Sequence, residues 1–202
     1  NVQGLSQPFI ERWRVATQDD TDCWGMETFN IGQQLTGLAA GKYTLSASVI
    51  ATQQTFAEGD DKAKGYVQHV YLYANGVNEA VSSPNNIAQN FSVDFYVGND
   101  GKANIGLKNI ANQNEPYSES GLNWVAMDCF TLLYNGTDAL EHDLDSMRTE
   151  ALTYTENMVP TSLCDQLSTL GKQTDVSVSA LLELQSVLGE AQVIQKHYLK
   201  CL

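Results

Sequence analysis

The sequence predicts a β-sandwich followed by an all-α three-helix bundle, and three observations predict it. Strand-like segments with strict period-two alternation recur at short, even spacing through the first two thirds of the chain. Glycine and aromatic content then collapse together: 13 of the 15 glycines, all six phenylalanines and all three tryptophans lie within residues 1–137. The last 65 residues hold 12 of the 21 leucines, stepped by three and four, the period of an amphipathic helix. The boundary therefore falls at about Gly136, with a sandwich over 1–137 and a helical bundle over 138–202.

Each strand carries its own signal. Trp24 to Ile31 leads in, with Phe29 and Ile31 alternating. Gly37 to Gly41 makes a turn into a strand over Lys42 to Ile50. There Tyr43, Leu45, Ala47 and Val49 take one face and Thr44, Ser46 and Ser48 the other. Residues 53–65 are polar and charged and read as a long loop. Tyr66 to Ala74 is a strand whose tyrosines, Tyr71 and Tyr73, are expected in the core. Asn75-Gly76 is a type I′ hairpin signal into Val77 to Val81. After a loop at 82–86, Phe91, Val93, Phe95 and Val97 alternate, Asn99-Asp100-Gly101 turns, and Ala103, Ile105 and Leu107 return. A third polar loop, 109–123, precedes a closing strand in which Phe130, Leu132 and Tyr134 share a face, with Phe130 expected in the core beside Leu45. About eight strands with three elaborated loops suit a jelly roll.

The helices read as clearly. Asp138 is the expected N-cap of a stripe through Leu140, Leu144, Met147, Ala151, Tyr154 and Met158, ended by Pro160. Thr161 or Ser162 would cap a second helix carrying Leu163, Leu167 and Leu170, stopped by Gly171. From Ser177 a third stripe runs through Leu181, Leu184, Leu188, Ala191, Ile194 and Tyr198. It reaches Leu202 without a C-cap, and the chain begins in mid-pattern at Asn1. The expectation is a mature fragment of a longer protein.

Net charge is −13, dispersed evenly: 7 basic against 14 acidic residues before residue 138, and 4 against 10 after it. So acidic a chain is repelled by nucleic acid and anionic membrane surfaces. No run of 18 apolar residues exists to span a bilayer. An extracytoplasmic setting, secreted, periplasmic or cell-surface, is the expectation. Cys23, Cys129, Cys164 and Cys201 show no C-x-x-C spacing, which disfavours zinc-ribbon and thioredoxin-type sites. Four cysteines allow three pairings. A jelly roll would bring the Cys23 and Cys129 segments together, Cys164 and Cys201 pair less naturally, and buried free thiols are the equal alternative.

Catalytic constellations come up empty. There is no G-x-S-x-G elbow, no phosphate-binding glycine loop and no H-E-x-x-H, and His69, His142 and His197 lie apart without ligand spacing. Asp19, Asp20, Asp22 and Glu27 cluster, but clustering alone supplies no acid with a raised pKa for glycosidic chemistry. The chain reads as a binder or scaffold and not as an enzyme.

Two segments carry a family resemblance: Gly37-Leu-Ala-Ala-Gly-Lys-Tyr-Thr-Leu-Ser-Ala-Ser-Val49 and Asn123-Trp-Val-Ala-Met-Asp-Cys-Phe-Thr-Leu-Leu-Tyr134. They resemble the first and last thirds of galactose-binding-like, carbohydrate-binding-module β-sandwiches, common in secreted and surface proteins of polysaccharide-feeding gut bacteria. The helical part is loosely similar to FIVAR-type spacers that follow such sandwiches. The resemblance implies a glycan or polysaccharide partner, neighbouring domains of the same polypeptide, and no required cofactor. It also implies a structural calcium, with Glu27 and Asp128 as ligands and Asp22 as a weaker third, because a hard cation gathers several oxygens at ~2.3–2.6 Å. Where the family has Asp-Asn-Phe, this chain has Asp128-Cys129-Phe130.

Sugar recognition asks for an exposed aromatic face ringed by amides and carboxylates. The loop candidates are Tyr117, stiffened by Pro116, then Tyr66 and Trp24, with Asn85, Asn86, Asn112, Asn114 and Glu115 as polar neighbours. The expected function is non-catalytic glycan binding within a larger secreted or surface protein. The alternative is a structural spacer or adhesion module without sugar binding.

Overall fold

The computed structural model describes residues 5, 9–13, 26–52, 67–83, 87–110 and 122–198. Among these described residues eight strands form two four-stranded sheets, and three helices follow: a β-sandwich with an α-helical C-terminal part. The strands are β1 (Ile10–Trp13), β2 (Phe29–Leu35), β3 (Gly41–Thr52), β4 (Val70–Ala74), β5 (Val77–Ala80), β6 (Gln89–Val97), β7 (Ala103–Asn109) and β8 (Trp124–Gly136). One sheet has the order β1-β8-β3-β6 and the other β2-β7-β4-β5. β1, absent from the sequence reading, pairs antiparallel with β8 and places Ile10 opposite Met127. Its Glu11 and Arg12 are exposed, as an edge strand tolerates.

Compactness divides the chain into two units. The first comprises Asn1–Thr36, Tyr43–Phe95 and Lys102–Leu133; the second comprises Gly37–Lys42, Tyr96–Gly101 and Tyr134–Leu202. In the first unit the alternation of β3 resolves as read: Tyr43, Leu45, Ala47 and Val49 are buried, and the Tyr43 and Phe95 rings stack at 5.8 Å. β8 departs from its alternation. Cys129 adopts φ 55°, a left-handed residue inside a strand, and beyond it the burial pattern fails. Phe130 is accordingly 39% exposed, while Leu45 is fully buried; the expected shared core position of Phe130 is not observed. β4 starts four residues later than expected because His69, at φ 61°, interrupts the extended backbone.

In the second unit the helices are α1 (Leu140–Ala151), α2 (Thr161–Gly171) and α3 (Val178–Tyr198). The first is shorter than its apolar stripe. It stops at Ala151, ahead of the poor helix formers Thr153, Tyr154 and Thr155, and Met158 is exposed. Ala139 and Pro160, not Asp138 and Thr161 or Ser162, occupy the N-cap positions of α1 and α2. Ser177 does cap α3, its Oγ accepting the Ala180 N–H at 3.1 Å. Leu163, Leu167, Leu170, Leu184, Leu188 and Ala191 form one apolar cluster, and Leu140, Leu144, Val178 and Leu181 form another with Tyr96. Asp143 of α1 accepts bonds from Lys42 Nζ at 3.0 Å and Tyr96 Oη at 2.9 Å. Burial alone pushes its carboxyl up, but these two partners and the Lys42 charge more than reverse that, so it titrates below the ordinary range.

Candidate functional site

Register places the site on the outer face of the β2-β7-β4-β5 sheet. Across its middle run Gly32, Gly106, Tyr73 and Asn78, each opposite the next. One row along, Asn30 faces Lys108, which faces Tyr71; on the other side Gln34 faces Asn104. Residues directly opposite share a face. Their strand neighbours Leu72 and Leu107 are fully buried on the other side.

The middle row is built around two missing side chains. A Cβ at Gly106 would lie 2.6 Å from the Gly32 Cα and 2.9 Å from the Tyr73 hydroxyl, and one at Gly32 would collide with that hydroxyl. Tyr73 therefore reaches across β7 over a glycine floor, where its hydroxyl donates to Asn30 Oδ1 at 2.7 Å. What remains beside it is a groove of about 300 Å3 lined by Asn30, Gly32, Gln33, Gln34, Tyr73 and Asn104.

The amides are held in place from behind. Gln34 Nε2 donates to Asn104 Oδ1 at 3.3 Å, and the Asn104 N–H donates to Asn75 Oδ1 at 2.9 Å. Asn75 and Gly76, both at positive φ, form the tight β4–β5 turn that the Asn-Gly dipeptide demands. Lys108 Nζ sits 5.1 Å from the Tyr73 ring centroid, within cation–π range. Partial burial lowers its pKa below the ordinary lysine value. A half-buried ring and several amides can stack against and fork hydroxyls, which is binding chemistry; the lining itself offers no carboxyl for acid–base work.

A second, apolar cleft of about 240 Å3 lies on the other side of β2. Ile10, Met127 and Phe130 of one sheet and Ile31, Gln33 and Ile105 of the other line it.

Most sequence-named candidates, Tyr117, Tyr66, Trp24, Asn85, Asn86, Asn112, Asn114, Glu115 and Asp22, lie outside the described residues. Glu27 is exposed, and its carbonyl, like that of Met26, accepts a bond from the Asn109 amide at 3.2 and 3.0 Å respectively. Asp128 is half-buried and accepts the Cys129 thiol at 3.4 Å. Among the described residues no group of three His, Cys, Asp or Glu side chains gathers as metal ligands, and Asp22, the third expected ligand, lies outside them. Cys129 is exposed and Cys164 half-buried, with its thiol 3.5 Å from the Tyr154 carbonyl; neither is the fully buried thiol of the sequence alternative. Cys23 and Cys201 lie outside the described residues. His142 is exposed beside Asp143, its Nδ1 3.6 Å from Oδ1.

The sequence reading missed the groove because it placed Tyr71 and Tyr73 in the core. Both are half-buried on the outer face. The signal was present: they alternate with Val70, Leu72 and Ala74, which are the buried set. Glycines at mid-strand positions 32 and 106 were the other sign, since such glycines mark close approach.

No protein-family model matches the chain, and no curated protein matches it. Among solved structures it is similar to the EclA C-terminal domain, described as a sugar-binding protein, at 16% identity and TM-score 0.36 over 59% of this chain and 83% of that one. It is similar to a ruminal GH26 endo-β-1,4-mannanase at 13% identity and TM-score 0.31, covering 84% of this chain and 33% of the other. A third is the structure of CBM51-2 in complex with GlcNAc and INT domains from Clostridium perfringens ZmpB, at 13% identity and TM-score 0.25, covering 85% and 36%. The chain thus spans about a third of the length of the latter two. None of these likenesses assigns a role to a residue here.

Proposed function

We propose that this chain is a non-catalytic glycan-binding module of a larger secreted or surface protein of polysaccharide metabolism, and that its outer-sheet groove receives the sugar. The observation that carries the reading is Tyr73 laid over the Gly32–Gly106 floor with Asn30, Gln33, Gln34 and Asn104 around it. The apolar C–H face of a pyranose gains from burial against an aromatic ring, while its hydroxyls exchange water for amides at nearly even energy. Residues 1–137 are the binding module and 138–202 the helical module in this reading, and both sit outside the cytoplasm. The loop aromatics Tyr117 and Tyr66 are the alternative platform. A structural calcium would join Asp22 to Glu27 and Asp128 and has no part in the groove.

A glycan-array screen of the chain, with and without chelator, tests the proposal. Tyr73→Ala should abolish detectable binding and leave the melting temperature within a few degrees, as a half-exposed side chain would. Loss of binding in Tyr117→Ala with Tyr73→Ala unaffected would move the platform to the loops. If no glycan on the array binds, the spacer or adhesion reading replaces this one.

A further inference from the structure

The charge on the groove face runs against the charge of the chain. Among 24 acidic and 11 basic residues in all, the register rows of this face hold Asn30, Gly32, Gln34, Asn104, Gly106, Tyr71, Tyr73 and Asn78, and one charged side chain, Lys108. Its ammonium is partly desolvated and rests against a ring. Among the described residues no carboxylate pairs with it, so the ring quadrupole is a partial substitute for lost water. Lys108 shares its row with the lining residue Asn30, whose Oδ1 already holds the Tyr73 hydroxyl, one row from Gly32, Gly106 and Tyr73. A sugar seated on Tyr73 therefore meets a cation at one border and amides at the other. Exposed charges more than ~8–10 Å apart are largely screened at ordinary salt, and within the register rows of this face Lys108 is the charge beside the groove.

Resting on the glycan reading above, we infer that the groove selects an acidic saccharide, one whose ring carries a singly charged group such as a uronate carboxylate, and that Lys108 pairs with that charge. A sulfate monoester offers the same charge on the same scaffold, and the two are separated by the choice of probe.

The test uses the full chain and three sets of oligosaccharides: uronate-containing, their carboxyl-reduced neutral counterparts of identical linkage, and singly sulfated ones. The acidic form should bind at least ~10-fold tighter than the neutral form, as expected of one charge-assisted contact. The preference should shrink at high salt, vanish in Lys108→Met and persist in Lys108→Arg. Thermal melts of both variants separate loss of recognition from loss of fold, and Lys108→Gln takes the place of Lys108→Met if that variant unfolds. Preference for the sulfated set with the same Lys108 dependence supports the acidic reading and assigns sulfate as the source of charge. Equal affinity for neutral and acidic forms, or a preference that survives Lys108→Met, overturns this inference and leaves the glycan reading standing. Failure of every oligosaccharide to bind overturns both.

Discussion

The two outer faces of the sandwich are built from the same alternation and end in opposite states. On the β3–β6 face, Thr44 bonds Asp94 at 2.6 Å, Ser46 bonds Ser92 at 2.9 Å and Ser48 bonds Asn90 at 2.6 Å. That face carries a ladder in which three short polar groups of one strand are each matched by one across the strand gap. On the β2–β7–β4 face, two glycines oppose each other, one large ring leans into the gap, and amides too long to fill it stand at its edge. The difference is one of side-chain volume. Uniform small polar residues satisfy one another and make a wall; a glycine–glycine–tyrosine row makes a recess with unspent donors.

The largest effect should come from the core beneath both faces. Leu45, fully buried, is the inward partner of the ladder residues Thr44 and Ser46. Leu45→Ala should lower unfolding free energy by about 2–5 kcal/mol in a denaturant titration. The same truncation at Phe130, 39% exposed, should cost less than about 1 kcal/mol. Equal losses would mean that β8 keeps its alternation past Cys129 after all.

Gly106→Ala comes next and acts on one face alone. The new methyl meets backbone on β2 and the Tyr73 hydroxyl at once, and overpacking of this kind costs about 1–3 kcal/mol. Because the intrusion displaces Tyr73, glycan binding should fall with stability in the same variant. A variant as stable as the parent, with the groove still binding, would show that the close strand approach is not what seats the ring.

Much of this was legible in the chain before folding. Period-two segments overlap seven of the eight strands among the described residues, although β2 runs on to Leu35 beyond the expected Ile31, and the Asn75-Gly76 turn and the leucine stripes needed no tertiary information. The failures share a cause: each depends on what lies opposite in space. Nothing local marks Cys129 for left-handed backbone, so Phe130 was put on the wrong side. Ile10–Trp13 is too short and too charged to declare itself a strand without β8 beside it. Tyr73 reads as core by residue type and becomes a candidate for binding only once Gly106 is known to face it, with Gly32 beyond. The stripe to Met158 overran the helix because periodicity counts apolar positions and ignores the weak propensity of Thr153 to Thr155.

The smallest effect belongs to the ladder and is the sharpest control on the contrast. Ser46 and Ser92 sit on an exposed surface, so removing one hydroxyl leaves the other to water at little cost. Ser46→Ala and Ser92→Ala should each change stability by no more than about 0.5 kcal/mol. A double-mutant cycle between them should return a coupling of about 0.2–1 kcal/mol, the range of a cross-strand pair. Glycan affinity should be untouched, because the short side chains of the ladder offer no ring for a sugar to stack on. If either serine variant weakens binding as much as Tyr73→Ala does, the recognition surface is the wall and not the recess, and the volume argument that separates the two faces is wrong.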